Sequence, residues 1–347
     1  MINRPEFRFK SQGFWYSLKI ALQFQLISVV SLIIRSNPMN TLYVNGRFLT
    51  QSLTGVQRFA VEICKELALL IPNFHIVVPK GTEPEEETLK PFLYEVGELN
   101  GTIWEQVDLY RFMKKKGGLL LNLCNTAPLG YDRNIVTIHD LGVYRNNNWY
   151  DWKFAHWYKY LTPRIAKRAK AILTVSEFSK SEIIDVLGVD SQKIHIAYNG
   201  VSQDTIGDYQ LLTKEKLIVH VGTLSKRKNV KMIVDCYWRS CPNDFKLVLC
   251  GNVDKNLALP ASEFDMMSGV EVLTGANDSE LSALLTRASH IVSASEYEGF
   301  GLPILEGLAN GAKPILSDIP VYKELFSEVA NFFSLDDSDG LTQIFST

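Results

Sequence analysis

The chain has 347 residues, which is enough for about two domains of roughly 150 residues each. Its 36 basic and 38 acidic side chains give a formal net charge of −2, and 46% of its residues are hydrophobic. This composition is that of an ordinary globular protein; it excludes a collagen, a disordered tail, a disulfide mini-scaffold and a polytopic membrane protein, and the balanced charge gives no indication of a nucleic-acid partner.

Residues 1–38 differ from the rest of the chain, because residues 14–34 are mostly apolar and aromatic. That run could just cross a bilayer core, but Lys19, Gln23 and Gln25 interrupt it. The polar side chains fall on one side of a helical wheel, which favours a basic amphipathic or weakly anchoring helix over a clean membrane span. The simpler interpretation is an over-extended translation upstream of a true start at Met39; the alternatives are a helix in peripheral contact with a membrane and an ordinary packed helix.

From Met39 onward, short aliphatic runs alternate with longer amphipathic stretches, which predicts strand–helix units that build parallel sheets. A first series has strands over 42–44, 75–78, 118–123, 135–138, 171–175 and 193–197, with helices over 56–70 and 158–169 among them. A second series has strands over 217–221, 246–249, 270–273, 290–293 and 314–317. The turn dipeptide Asn199-Gly200 and a polar stretch separate the two series, which predicts an N-terminal domain of 39–205 and a C-terminal domain of 206–347.

The cysteines are scattered along the chain, and no two of them form a C-x-x-C pair. Most of them lie in or beside apolar runs, which favours buried thiols in a reducing cytosol over a metal or redox site. The five positions are Cys64, Cys124, Cys236, Cys241 and Cys250.

The sequence Glu-Gly-Phe-Gly-Leu-Pro, which begins at Glu298, belongs to the stretch from Ser295 that directly follows the fourth strand of the second series. Gly299 and Gly301 permit close backbone approach, and Pro303 suits the first turn of a helix, whose free amides and positive dipole end favour a phosphate. Glu306 stands eight positions after Glu298, and carboxylates at such places suit ribose or sugar hydroxyls. The alternative is an acidic first turn that only stabilises the helix dipole.

Three consecutive cations, Lys226, Arg227 and Lys228, follow the first strand of the second series. In a doubly wound fold this loop is directed toward the same crevice as the glutamates. Arginine contacts phosphate oxygens in bidentate fashion and lysine supplies a compact charge, so these groups would stabilise a departing nucleoside diphosphate. A basic loop taken alone is more often a solvated surface, and the combination of both motifs favours the binding site.

These segments, with Leu-Thr-Gly-Ala-Asn-Asp from Leu273, resemble the family-four glycosyltransferases, over nearly all of residues 39–336. The resemblance implies the GT-B fold, an α/β architecture of two facing Rossmann-like doubly wound domains with an interdomain crevice. Glu298 and Glu306 resemble the two glutamates of the family's E-x7-E motif, which lie near the donor sugar and the nucleotide ribose. The cationic pair of the family on the donor diphosphate corresponds here to Arg227 and Lys228.

The resemblance also assigns backbone segments: Leu273, Thr274 and Gly275 beside the nucleobase, and Phe300, Gly301 and Leu302 near the phosphates. Gly55 resembles the glycine that lets a helix terminus approach the phosphate and acceptor side. His139, followed by Asp140, resembles the family's histidine near the donor sugar, although such a pair alone is more often structural. Thr223 stands where many members have an arginine, and Ser176 is expected only to cap a helix.

The implied function is a retaining, metal-independent hexosyltransferase that moves a sugar from a nucleotide-sugar donor to a saccharide or lipid-linked glycan acceptor. Such reactions build surface polysaccharide or lipopolysaccharide in the cytoplasm, at the inner face of the membrane. No cofactor is expected besides the donor as substrate, and its base stays unassigned. Because the family continues beyond the acidic segment that ends at Asp337, a shortened C-terminal domain is expected. Alternatives are a nucleotide-sugar epimerase or hydrolase of the same fold and a non-catalytic nucleotide- or glycan-binding protein.

Overall fold

The computed structural model describes residues 41–52, 54–71, 73–201, 213–240, 244–254 and 268–346. The predictions for residues 1–38, for a start at Met39 and for Cys241 lie outside the described residues. The chain divides between Asn199 and Gly200 into two compact units, called here the N-unit and the C-unit.

The N-unit is built on a parallel sheet of seven strands in the order β3-β2-β1-β4-β5-β6-β7. Its strands are β1 Leu42–Asn45, β2 Phe74–Val78, β3 Leu93–Glu95, β4 Leu119–Asn122, β5 Asn134–Thr137, β6 Ala171–Thr174 and β7 Ile194–Ile196. Its α-helices are α1 Gly55–Leu70, α2 Gly101–Trp104, α3 Tyr110–Lys116, α4 Gly142–Arg145, α5 Trp152–Arg168 and α6 Glu177–Leu187, and the π-helical turn Glu105–Leu109 joins α2 to α3. This doubly wound order has its switch point between β1 and β4.

Both faces of the N-unit sheet are covered, as a parallel sheet requires. Ile135 and Leu173 pack in the core cluster that includes α1, whereas their chain neighbours Val136 and Ile172 pack in the cluster of α5 and α6. Alternate residues of a strand point to opposite faces, so the helices lie on the two sides of the sheet. α6 begins where the Ser176 side chain accepts a hydrogen bond from the backbone of the third helical residue, which confirms Ser176 as the N-cap.

The C-unit has a parallel sheet of six strands in the order β10-β9-β8-β11-β12-β13, with its switch point between β8 and β11. Its strands are β8 Glu215–Val221, β9 Lys246–Cys250, β10 Val270–Leu273, β11 Ala288–Ser293, β12 Lys313–Ser317 and β13 Asn331–Phe333. Its helices are α7 Val230–Ser240, α8 Asp278–Arg287, α9 Leu302–Ala309, α10 Pro320–Phe326 and α11 Ser338–Ser346. α11 completes this core, because Leu341 and Phe345 are buried in the cluster that contains α7.

All eleven predicted strands are present with ends within two residues of the prediction, whereas β3 and β13 were not predicted. Both are three-residue edge strands with an exposed position, so they lack the continuous apolar run of a central strand. α5 begins at Trp152, six residues before the predicted start, because Asp151 caps it and its first turn is aromatic and exposed. None of the helices in the described ranges combines the length and the apolarity that crossing a bilayer requires.

Candidate active site

The two motifs singled out in the sequence lie side by side at the switch point of the C-unit sheet. β8 and β11 are hydrogen-bonded neighbours, and their following loops carry the three cations and Glu298 respectively. We call residues 222–229 the cationic loop and residues 294–301 the carboxylate loop. The backbone N–H of Glu296 donates a 2.9 Å hydrogen bond to the carbonyl of Arg227, which ties the two loops together.

Glu298 is the centre of a largely buried ion-pair cluster. Its carboxylate lies 3.0 Å from Nη1 of Arg227 and also contacts the ammonium of Lys228. Arg227 Nη1 donates a second hydrogen bond, of 2.6 Å, to the carbonyl of Tyr297, which fixes the guanidinium against the carboxylate loop. Among the described residues this cluster places two cations against one carboxylate, and cations in such a group attract an anionic ligand.

The Glu298 carboxyl is ionised over the whole physiological pH range. Burial would raise its pKa, but the charges of Arg227 and Lys228 outweigh that effect and lower the pKa to about 2. A carboxyl with this pKa cannot act as a general acid near pH 7. The ionised carboxylate can stabilise positive charge that develops on a bound ligand. Its two cationic partners can stabilise negative charge that develops on a neighbouring part of the same ligand.

A network of hydroxyl groups is hydrogen-bonded to the Glu298 carboxylate. Ser295 hydrogen-bonds to the Glu298 side chain, its Oγ lies 3.0 Å from Oγ of Ser293, and the latter lies 2.9 Å from the Tyr322 hydroxyl. Ser317 Oγ donates a 2.7 Å hydrogen bond to the carbonyl of Ser295. Burial raises the pKa of Tyr322, so this phenol stays protonated. The sequence did not point to this network of hydroxyl groups, because its members come from the ends of two strands, β11 and β12, and from the helix α10.

The carboxylate loop leads directly into α9, as predicted. Gly301 caps the helix with φ +108°, and a Cβ there would lie 2.7 Å from a ring carbon of Tyr322, so both conformation and space require glycine. The backbone of Phe300, Gly301 and Leu302 therefore forms the start of α9 immediately beside the ion-pair cluster. Glu306 lies one turn further along α9, with its side chain buried.

The remaining predicted C-unit residues lie at the same edge of the sheet. Leu273 ends β10, which β9 separates from β8, and its carbonyl accepts a 2.9 Å hydrogen bond from Gly251. Thr274 and Gly275 follow as exposed residues, with Gly275 at φ +68°, and Thr223 is an exposed residue of the cationic loop. Their roles beside a nucleobase or diphosphate stay predictions.

His220, near the end of β8, is a buried residue whose role the sequence did not reveal. Its Nδ1 lies 3.1 Å from the carbonyl of Val292 on β11, and because a carbonyl only accepts, Nδ1 carries the proton. Burial, helped by the nearby charge of Lys228, lowers its pKa to about 4. The neutral imidazole thus links the two strands that carry the two loops.

His139 lies at the end of β5 in the N-unit and makes structural contacts in this state. Its Nε2 donates a 2.8 Å hydrogen bond to the carbonyl of Leu123, and burial lowers its pKa, so the ring is neutral. Asp140 accepts a 2.9 Å hydrogen bond from the backbone of Gly142. The His139 ring packs edge-on at 4.8 Å against Phe59 of α1, the helix that begins at the predicted Gly55. The catalytic role of His139 and the phosphate-side role of Gly55 stay predictions.

A second polar cluster, which the sequence did not indicate, lies where β1 and β4 end. Glu105 is fully buried at the start of the π-helical turn and accepts hydrogen bonds from Asn45 (2.9 Å), Thr126 (2.7 Å) and Gln106 (3.1 Å). Arg47 Nε lies 3.7 Å from the same carboxylate. We call these five residues, with Asn122 and Tyr158, the Glu105 cluster: Asn122 accepts from Asn45, and the Tyr158 side chain hydrogen-bonds to Arg47.

Comparisons with known proteins identify the family to which this fold belongs. The model described as "Glycosyltransferase Family 4" matches residues 53–205, and the model described as "Glycosyl transferases group 1" matches residues 202–339. The crystal structure of WaaG, a glycosyltransferase involved in lipopolysaccharide biosynthesis, superposes with a TM-score of 0.67 at 14% identity over 88% of this chain and 89% of that one. The chain belongs to the family-4 glycosyltransferases and has their GT-B fold.

Within that family the chain is similar to transferases of mannose. It is 30% identical over 233 residues to the O-antigen chain mannosyltransferase RfbU of Salmonella typhimurium, a match that covers 66% of this chain and 64% of that protein. It is 25% identical over 181 residues to the GDP-mannose:cellobiosyl-diphosphopolyprenol alpha-mannosyltransferase of Komagataeibacter xylinus, covering 50% of this chain and 45% of that protein. The chain thus spans roughly half to two thirds of the length of these relatives.

Proposed function

We propose that the protein transfers a sugar, with retention of anomeric configuration, from a nucleotide-sugar to a saccharide or lipid-linked glycan during polysaccharide or lipopolysaccharide biosynthesis. The observation that carries this proposal is the cluster of Glu298 with Arg227 and Lys228 at the start of α9. Family membership supports the class of reaction, and the cluster supplies the charges that this reaction needs.

The electrostatics of the cluster fit the cleavage of a sugar–diphosphate bond. As that bond breaks, positive charge develops at the anomeric carbon and negative charge on the departing diphosphate. In our proposal the Arg227 and Lys228 side chains and the first amides of α9 bind the diphosphate, so they stabilise it more strongly as its charge grows. The Glu298 carboxylate, which is ionised because its pKa is about 2, stabilises the positive charge that develops on the sugar.

We infer that the donor sugar is mannose and the base is guanine. The names of the two relatives reported above specify mannosyl transfer, and one of them specifies GDP-mannose and a diphosphopolyprenol-linked acceptor. Glu306, buried on the same helix, is the candidate for holding the ribose, because a carboxylate accepts hydrogen bonds from vicinal hydroxyls. The reaction would take place on the cytoplasmic side of the membrane.

The test is a transfer assay with purified full-length protein. Radiolabelled GDP-mannose, UDP-glucose and UDP-galactose are each offered with polyprenyl-diphosphate-linked oligosaccharides, and the product's anomeric configuration is determined by NMR. We expect the wild-type protein to form an α-linked mannosyl product from GDP-mannose, and we expect the Glu298→Gln variant to form no product. Conversion of the donor without any acceptor would favour an epimerase or hydrolase, and donor binding without turnover would favour a non-catalytic protein; either result would overturn the proposal.

A further inference from the structure

The outer face of α5 presents aromatic side chains that the proposed reaction does not use. Five large aromatic side chains are exposed in the described ranges, and three of them lie on this helix: Trp152 (65% exposed) and Tyr160 (48%) on its outer face, and Phe154 (42%), which stacks on Tyr150 and Tyr158. Trp152, His156, Tyr160 and Arg164 follow one another at a spacing of four residues, so they form one stripe along the helix. Exposed aromatic rings gathered on one helix indicate an interaction surface.

Basic side chains accompany the rings. The Arg164 guanidinium lies 3.6 Å from the centre of the Tyr160 ring, and Lys153 Nζ lies 5.6 Å from the centre of the Trp152 ring. The Trp152 and His156 rings are 5.9 Å apart. Aromatic rings paired with long cationic side chains are typical of the boundary between lipid and water, where a ring can enter the apolar layer while the cation reaches the headgroups.

The sequence around α5 carries an excess of basic side chains. Residues 141–176 contain one acidic side chain, Asp151, and its carboxylate is engaged in capping α5. The same stretch contains seven basic side chains, of which Arg145 is ion-paired with Glu182 of α6; the other six are Lys153, Lys159, Arg164, Lys167, Arg168 and Lys170. Because the whole chain is almost neutral, this local excess favours an anionic partner over a neutral glycan.

We propose that the outer face of α5 docks the protein on a bilayer that contains anionic phospholipids. The inner face of the helix is fixed to the N-unit core through Leu161 and Ile165, so the stripe is presented on a rigid support. Tyr158 connects the same helix to Arg47 in the Glu105 cluster at the strand ends. Docking would therefore hold those strand ends close to the headgroups, where a lipid-linked acceptor would lie; that last step rests on the proposed function.

The experiment is cosedimentation of the full-length protein with vesicles of phosphatidylcholine alone and of phosphatidylcholine mixed with phosphatidylglycerol. We expect binding to the mixed vesicles only. The double variant Trp152→Ser/Tyr160→Ser should lose most of this binding, whereas Trp238→Ser, which removes an exposed tryptophan of the C-unit, should bind like the wild type. Residues 1–40 are present in all these proteins, so the difference isolates α5.

A charge variant tests the electrostatic part separately. Lys153→Glu/Arg164→Glu should weaken partition onto the mixed vesicles at least about tenfold, since each cation near an anionic surface contributes several-fold. Lys216→Glu/Lys231→Glu, an equal charge change at exposed C-unit positions, should weaken it much less. Equal melting temperatures would show that all variants are folded.

The outcomes separate this proposal from the proposed function. Absence of wild-type binding to the mixed vesicles, equal binding to both vesicle types, or unchanged binding by both α5 variants would overturn the docking surface. Transfer to a water-soluble acceptor should be unchanged in the α5 variants, whereas transfer to an acceptor embedded in the bilayer should fall. If no sugar transfer occurs at all, the proposed function fails, while the sedimentation result still decides the surface.

Discussion

The N-unit and the C-unit place different chemistry at the same topological position. Each sheet reverses its strand order beside its first strand, at β1/β4 and at β8/β11, and each has a buried glutamate at that point. Glu105 is surrounded by neutral donors and one arginine, whereas Glu298 is paired with two cations. The shared fold fixes where polar side chains converge, and the identity of those side chains decides whether the position holds a network of mostly neutral donors or a cluster with two cations.

The largest expected difference between the two glutamates is in their effect on stability, and it concerns the N-unit. Glu105→Ala leaves Arg47 without its buried carboxylate and removes one hydrogen bond from each of three donors, so we expect the free energy of unfolding to fall by about 3–5 kcal/mol. Urea denaturation followed by tryptophan fluorescence measures it. Of the tryptophans in the described ranges, only Trp238 lies in the C-unit, so the signal reports mainly on the N-unit.

Glu98→Ala is the matched control, because this carboxylate is 80% exposed and pairs only with the exposed Lys80 among described residues. Its loss should cost less than about 1 kcal/mol. Equal losses for the two variants would show that the Glu105 cluster is not the stabilising network described above.

A pH-dependent effect is expected at the C-unit switch point. The pKa of His220 is about 4 in the folded protein and about 6.5 when unfolded, so the unfolded state binds the proton first. Above pH 6.5 the ring is neutral in both states and has no effect; as the pH falls from 6.5 to 4, stability decreases by about 3 kcal/mol. Melting curves between pH 7 and pH 4.5 measure this decrease.

His220→Asn keeps a donor for the carbonyl of Val292 and removes the titrating group. Its melting temperature should therefore fall less steeply with acid than that of the wild type. Parallel curves for the two proteins would exclude His220 as a cause of the acid sensitivity.

The smallest expected effect concerns the ribose contact. Glu306→Ala should weaken the binding of GDP-mannose about tenfold, as expected for the loss of a hydrogen-bonded charged group, and should change kcat less than KM. Initial-rate kinetics over a range of donor concentrations separates the two constants. An unchanged KM in a folded variant would remove Glu306 from the donor site.

Much of the C-unit site could be predicted because its determinants are local in sequence. The cations and Glu298 stand in loops directly after central strands, and such strands are recognisable as apolar runs. Parallel strands direct their carboxyl ends to one edge of the sheet, so two short motifs were sufficient to predict a common site, and the Glu296–Arg227 hydrogen bond shows that the two loops meet.

The Glu105 cluster could not be predicted, because its contacts join residues that are far apart in the chain. Asn45 and Glu105 are separated by 60 positions, and nothing near Glu105 marks the π-helical turn that directs it inward. The Tyr322–Ser293 contact, over 29 positions, is a similar case. Pairings of this kind depend on the packing of whole elements, whereas motifs depend on neighbours in the chain.

Calorimetric titration of GDP into the wild type, Lys228→Ala and Lys226→Ala would measure whether the cationic loop binds a diphosphate. Each variant removes one positive charge, so the two change the net charge equally. They differ in place, because Lys228 is buried against Glu298, whereas Lys226 is exposed. We expect Lys228→Ala to weaken GDP binding at least about tenfold and Lys226→Ala less than about threefold. Equal weakening by both variants, or a wild-type protein that binds no nucleoside diphosphate, would show that the cationic loop is not a diphosphate site.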